Sequence, residues 1–232
     1  MTHPRDKIAL AADVPLEQAA ALYERLVPYV GWVKVGLSLF VEHGPRAVAT
    51  FREAGARVFL DLKLHDIPNT VELAAAKASA SGAELLTVHA SGGAAMLEAA
   101  VRGAASTGGC QVLAVTALTS LSDADLQAIG WSGSAATVAD HLAALAAGAG
   151  VPGLVCSARE VQAIRARFPK LFLCTPGIRP QGASAQDQVR TQTPRAAVEA
   201  GSDLLVVGRP IYTAEDPVAA ARAICEEIAP AP

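Results

Sequence analysis

Apolar and polar positions follow two periods along this chain. Short apolar runs recur from end to end, and between them lie Ala- and Leu-rich stretches with helical spacing. The runs end near Ala12, Val35, Leu62, His89, Thr116, Val155, Cys174 and Val207. Those at Val35, Leu62, His89 and Thr116 are evenly spaced, at an interval that accommodates a strand, a loop and a helix of about a dozen residues. Apolar runs without in-out alternation belong to strands covered on both faces, as in parallel sheets. The pattern therefore predicts an α/β fold of eight parallel units. With no composition break between the units, a closed (β/α)8 TIM barrel is favoured over a doubly wound sheet.

Composition narrows the picture. A chain of 232 residues with 52% hydrophobic content can bury one large core, and its length suits one barrel domain spanning residues 1–232. The net charge of -3 argues against a nucleic-acid surface, which is normally basic. The start, Met1 to Lys7, is polar and has no apolar segment of signal-peptide type behind it. The Ala-rich run from Ala143 to Val155 is interrupted by Gly148, Gly150, Pro152 and Gly153, so no membrane span is expected. Cys110, Cys156, Cys174 and Cys225 form no CxxC pair and no metal spacing, which points to reduced thiols and a cytoplasmic location.

The chemistry concentrates in residues 59 to 70, Phe-Leu-Asp-Leu-Lys-Leu-His-Asp-Ile-Pro-Asn-Thr. The apolar run Val58-Phe59-Leu60 makes this the end of a buried strand, so Asp61 and Lys63, two apart, project to one face. A carboxylate and an ammonium there need each other and a polar site around them. Asp66 lies past the strand end and either caps the next helix or serves a site. Pro68 sets the start of that helix.

Working residues of such barrels lie at the C-terminal strand ends and in the loops that follow. Strand one ends at Asp13, either a cap for a helix near Leu16 or a site carboxylate. Strand two carries Lys34, with Val33 and Val35 turned to the helical layer. His65 and His89 are expected to be hydrogen-bonded packing residues. After strand five, Thr116, Thr119 and Ser120 either cap a helix near Ser122–Asp125 or bond a polar heterocycle. After strand six, Ser157 and Glu160 have the spacing of a capping box. Strands seven and eight run into Gly177-Ile178-Arg179 and Gly208-Arg209-Pro210, where barrels of this kind often bind phosphate. The glycines allow close backbone approach and the arginines offer forks for phosphate oxygens. Residues 179 to 192 form a long polar segment containing Gln181, Gly182, Asp187 and Gln188, suited to closing over a ligand.

From Ile8 to the last helix the chain resembles the orotidine 5'-phosphate decarboxylase family. The resemblance rests on the 59–70 stretch and on Val33-Lys34-Val35-Gly36-Leu37, Val115-Thr116-x-Leu118-Thr119-Ser120, Cys156-Ser157, Thr175-Pro176-Gly177-Ile178-Arg179 and Val207-Gly208-Arg209-Pro210. Ala12 stands where the family usually has Leu, which bears on packing. The resemblance implies decarboxylation of orotidine 5'-phosphate to uridine 5'-phosphate, with no cofactor and no metal. It implies a charged network of Lys34, Asp61, Lys63 and Asp66, with Lys63 as proton donor. Asp66 would reach the neighbouring subunit's site in a homodimer. Asp13, Lys34 and Thr70 would bind the ribose, and Thr119 the pyrimidine. Gln188, Arg209 and the Gly208 backbone would hold the phosphate, with Arg179 alongside.

Two rival readings are distinguishable. Metal-dependent sugar-phosphate decarboxylases and aldolases of the same superfamily resemble this chain in Asp-x-Lys-x-x-Asp, but carry an acidic metal ligand where Lys34 stands. A non-catalytic phospho-ligand-binding barrel would be expected to lose part of the charged quartet.

Overall fold

The computed structural model describes residues 3–180 and 192–229. Eight strands run in chain order: β1 (Ile8–Ala11), β2 (Trp32–Val35), β3 (Arg57–Leu64), β4 (Leu85–His89), β5 (Gln111–Val115), β6 (Gly153–Val155), β7 (Phe172–Thr175) and β8 (Leu204–Val207). Each pairs in parallel with the next, and β8 returns to β1 through Ile8↔Leu205, Ala9↔Val206 and Leu10↔Val207. The barrel is closed, which excludes the doubly wound alternative.

Both strand faces are covered, for the reason the uninterrupted apolar runs suggest. Ala9, Trp32, Phe59, Leu85, Leu113 and Leu204 fill the barrel interior. The residues between them in sequence, such as Ile8, Leu10, Val33, Val35, Val58 and Leu60, pack outward against the helices. Lys34 therefore stands on the inward face between two outward valines, as expected.

The helices form the outer layer: α1 (Leu16–Leu26), α2 (Leu37–His43), α3 (Pro45–Glu53), α4 (Pro68–Ala80), α5 (Ala94–Ala105), α6 (Asp123–Ala128), α7 (Ala135–Gly148), α8 (Val161–Arg167), α9 (Pro194–Glu199), α10 (Arg209–Tyr212) and α11 (Pro217–Glu227). Two 3-10 turns, η1 (Pro4–Lys7) and η2 (Ala90–Gly92), precede β1 and follow β4. Pro68 occupies the first position of α4, where its missing N–H costs nothing and its fixed φ fits the helix. Among the described residues no helix is long and apolar enough to cross a membrane.

Three local expectations change. β3 extends to Leu64 rather than ending at Leu62, because its pairing with β4 shifts register between Leu60 and Leu64. The capping box at Ser157 is only half made. Glu160 Oε2 accepts from Ser157 N–H at 3.0 Å, but Ser157 Oγ is buried without a partner. The helix begins later, at Val161, with Glu160 itself in the cap position. The hydroxyls of Thr119 and Ser120 do not cap α6. Ser122 does, in a full box with Asp125.

Candidate active site

The C-terminal end of β3 builds the centre of the site. Asp61 is 9% exposed. Both of its oxygens accept from Lys63 Nζ at 2.8 Å. Lys34 Nζ approaches Oδ2 at 3.7 Å from the neighbouring strand and also meets Asp13 Oδ1 at 3.3 Å. Asp13 thus pairs with Lys34 instead of capping α1, whose cap position is Pro15. A buried carboxylate between two ammonium groups answers the desolvation problem that the sequence posed. Burial alone would raise the Asp61 carboxyl. The charges of Lys34 and Lys63 and the hydrogen bonds from Lys63 and Thr87 outweigh it and hold the carboxyl below its ordinary value.

Lys63 does not reach this position as an ordinary strand residue. Its φ is 51°, and no other residue than glycine among those described has a positive φ. A non-glycine residue in the left-handed region costs about 1–3 kcal/mol and persists where its surroundings over-determine it. Thr87, fully buried on the inward face of β4, supplies that restraint. Its Oγ1 accepts from the Lys63 backbone N–H and donates to Asp61 Oδ1, both at 2.9 Å. Sequence reasoning missed Thr87. The available signal was its place on β4, where Leu85, Thr87 and His89 alternate onto the inner face.

Asp66 and Thr70 behave differently. Both are exposed, at the approach to α4 and in its first turn. Asp66 Oδ1 accepts from the Ile67 N–H at 2.6 Å, and no side chain caps α4. Among the described residues Asp66 is not brought to Lys34, Asp61 or Lys63 within the subunit. Beside it Ile67 is 66% exposed, and Leu37, Val41 and Leu73 on the helices after β2 and β3 are also exposed.

Over the charged group lies a cavity of about 220 Å³, lined by Lys34, Asp61, Lys63, Thr119, Pro176 and Val206 among others. Thr119 thus borders the same space as the charges. Beyond it, Gly177 adopts φ 77°, a conformation that favours glycine. Arg179 is 8% exposed, donates from Nη1 to the Ile178 carbonyl at 2.9 Å, and its N–H reaches the Gln192 carbonyl. Arg209 begins α10 directly after β8. A Cβ at Gly208 would lie 3.2 Å from Ala11 Cβ and 3.3 Å from the Tyr212 ring, so the backbone there is packed closely. Tyr212, a second residue the sequence reading passed over, joins the two ends of the site. Burial, then Asp13, raises its phenol, while Arg209, Lys34 and Arg179 oppose the rise. Gln188 and most of the 179–192 segment lie outside the described residues.

The four cysteines are free and buried. Burial, then Glu84, pushes the Cys110 thiol up to about 12, and burial also raises the other three. None carries the thiolate that reactivity requires.

Comparison with known proteins agrees with this geometry. Residues 6–224 match the model of the "Orotidine 5'-phosphate decarboxylase / HUMPS family". A protein of Anaeromyxobacter sp. (strain K) named orotidine 5'-phosphate decarboxylase is 56% identical over 95% of this chain and 97% of its own length. One of the same name from Synechococcus sp. (strain WH7803) is 48% identical over 97% of this chain and 96% of its own. Among solved structures, orotidine 5'-phosphate decarboxylase from Lactobacillus acidophilus superposes with a TM-score of 0.84 at 36% identity. That match covers 96% of this chain and 99% of the other.

Proposed function

The chain belongs to the orotidine 5'-phosphate decarboxylase / HUMPS family, and from that premise we propose that it is a cofactor-free carboxy-lyase converting orotidine 5'-phosphate to uridine 5'-phosphate. The observation that carries the reading is the buried Asp61 carboxylate held between Lys63 and Lys34 beside a cavity at the barrel mouth.

Breaking the bond between C6 and its carboxylate leaves an electron pair on a vinylic carbon with no adjacent carbonyl to delocalise it. The site must stabilise that charge by groups already in place before the bond breaks. Lys63 supplies the cation and then the proton, forming the new C6–H bond as carbon dioxide leaves, and regains a proton from solvent. Asp61 and Lys34 hold Lys63 in position and balance its charge. Asp13 and Lys34 bind the ribose together with Thr70, and Thr119 bonds the pyrimidine. Arg179, Arg209, Gln188 and the Gly208 backbone take the phosphate, whose binding energy, remote from C6, helps assemble the array.

Asp66 completes the network in the partner's site of a homodimer. Its outward position beside exposed Ile67, with Leu37, Val41 and Leu73 also exposed, supports a subunit contact there. A metal-dependent reading fits less well. Lys34 places an ammonium 3.3 Å from Asp13 and 3.7 Å from Asp61, in the space a divalent ion between those carboxylates would occupy. Incubating purified protein with orotidine 5'-phosphate in chelator-containing buffer tests the proposal. The pyrimidine absorbance should fall as uridine 5'-phosphate forms. No turnover, or turnover that the chelator stops, would overturn it.

A further inference from the structure

On its β3–β4 side the charged centre is flanked by two imidazoles that the chemistry above leaves unused. Leu85, Thr87 and His89 share the inward face of β4. Leu85 packs into the barrel interior, Thr87 holds Asp61 and the Lys63 backbone, and His89 ends the strand one step further toward the mouth. Leu64 pairs with Val88, so His65, next along the chain, is carried to the end of β4. There the two rings meet, with centroids 5.5 Å apart and planes inclined at 39°. The turn η2 backs them: a Cβ at Gly92 would lie 3.4 Å from His65 Cδ2 and 2.1 Å from Met96 Sδ. No side chain fits there without displacing Met96.

We propose that His89, with His65 against it, is a positioning residue for the Lys63–Asp61 pair that works only while both imidazoles are neutral. The role in turnover rests on the decarboxylase reading; the coupling of the two rings does not.

The physical case is one of charge count around a strained residue. The groups acting electrostatically on His89 are His65, Lys63 and Asp61, all on β3 or just beyond it. The turn η2 carries no charge, and β5 presents Val115 opposite His89. Burial, then His65 and Lys63, depress the His89 pKa, and Asp61 opposes them only in part. His89 is therefore neutral at neutral pH and gains its proton only as pH falls below the depressed value. A proton on His89 adds a third cation beside Lys63 and Lys34, competing for the Asp61 oxygens. Lys63 is poorly placed to resist, because its left-handed backbone is held by Thr87 and its side chain by Asp61. The result is loss of turnover on the acid side, set by the imidazole pair.

The test compares wild type, His65→Gln and His89→Gln in two measurements. The first is the pH profile of kcat with saturating orotidine 5'-phosphate. Removing His65 takes away a like charge, raises the His89 pKa and should move the acid limb toward neutral pH. His89→Gln should move that limb to lower pH, with kcat at pH 8 reduced about tenfold and KM little changed. The substrate phosphate, with a second ionisation near pH 6, would give the same limb in all three proteins, so a common limb overturns the proposal. Should His89→Gln not fold, an unmoved limb in His65→Gln does so alone. The second measurement follows ¹³C-labelled histidine in the unliganded protein by NMR. His89 should titrate below about 6.5 and shift upward in His65→Gln. Titration of His89 unaffected by His65 overturns the coupling whatever the turnover. Coupled titration in a wild type that does not decarboxylate would instead overturn the functional reading, and with it the pair's role in turnover.

Discussion

Thr87 shows how much of this site depends on one hydroxyl. It has no charge and no exposure, yet it joins the Asp61 carboxylate to the backbone of Lys63 at the one non-glycine position with positive φ. Thr87→Val keeps the shape and removes both bonds. A hydrogen bond to a buried charged group is worth about 1.5–3 kcal/mol, so kcat/KM should fall by about ten- to a hundredfold. KM should change little, because Thr87 does not border the cavity. Steady-state kinetics of the refolded variant check this, and unchanged kcat would remove Thr87 from the positioning role. Lys63→Ala should abolish detectable turnover while a tight-binding product analogue still binds, as isothermal titration would register. Near-normal turnover would sink the proton-donor assignment.

At the scale of elements, the barrel was legible because its strands are buried on both faces. Ile8–Ala11, Trp32–Val35 and Leu204–Val207 lack alternation in polarity, and their ends lie within a residue of where the apolar runs stop. Lys34 and Asp61 could be assigned inward because their strand neighbours, Val33 and Leu60, are apolar and pack on helices. The left-handed turn at Lys63 could not be foreseen. It follows from the register shift between β3 and β4, a property of pairing across the sheet rather than of either strand. Thr87 and the His65–His89 contact were hidden for the same reason. Ser157 misled because its spacing to Glu160 is that of a capping box, while its side chain turns into a buried place with no partner. The β7 and β8 ends carry the phosphate prediction. If phosphate binding assembles the site, Arg209→Ala should cost about 2–5 kcal/mol in kcat/KM for orotidine 5'-phosphate, the cost of truncating one side of a charged hydrogen-bonded pair. The phosphate-free nucleoside should be insensitive to the change. Equal losses on both substrates would count against a phosphate role for the β8 loop.

For the molecule as a whole, one subunit brings together Lys34, Asp61, Lys63 and Asp13 but turns Asp66 away. The apolar side chains exposed around it, Leu37 at 53%, Val41 at 82% and Ile67 at 66%, leave that face suited to a second copy of the chain. The central claim is that the complete charged array exists only where Asp66 of the partner subunit enters. In a two-fold dimer each site then draws Lys63 from one chain and Asp66 from the other.

Subunit mixing tests this most directly. Lys63→Ala and Asp66→Asn, each inactive alone and each dimeric by size-exclusion chromatography, are unfolded together and refolded at equal concentration. In a mixed dimer one site collects both defects and the other collects neither. Random pairing makes half the dimers mixed, so about one quarter of wild-type activity should return. If Asp66 serves its own subunit, every site keeps one defect. A mixture that stays inactive although mixed dimers are shown to have formed would contradict the account.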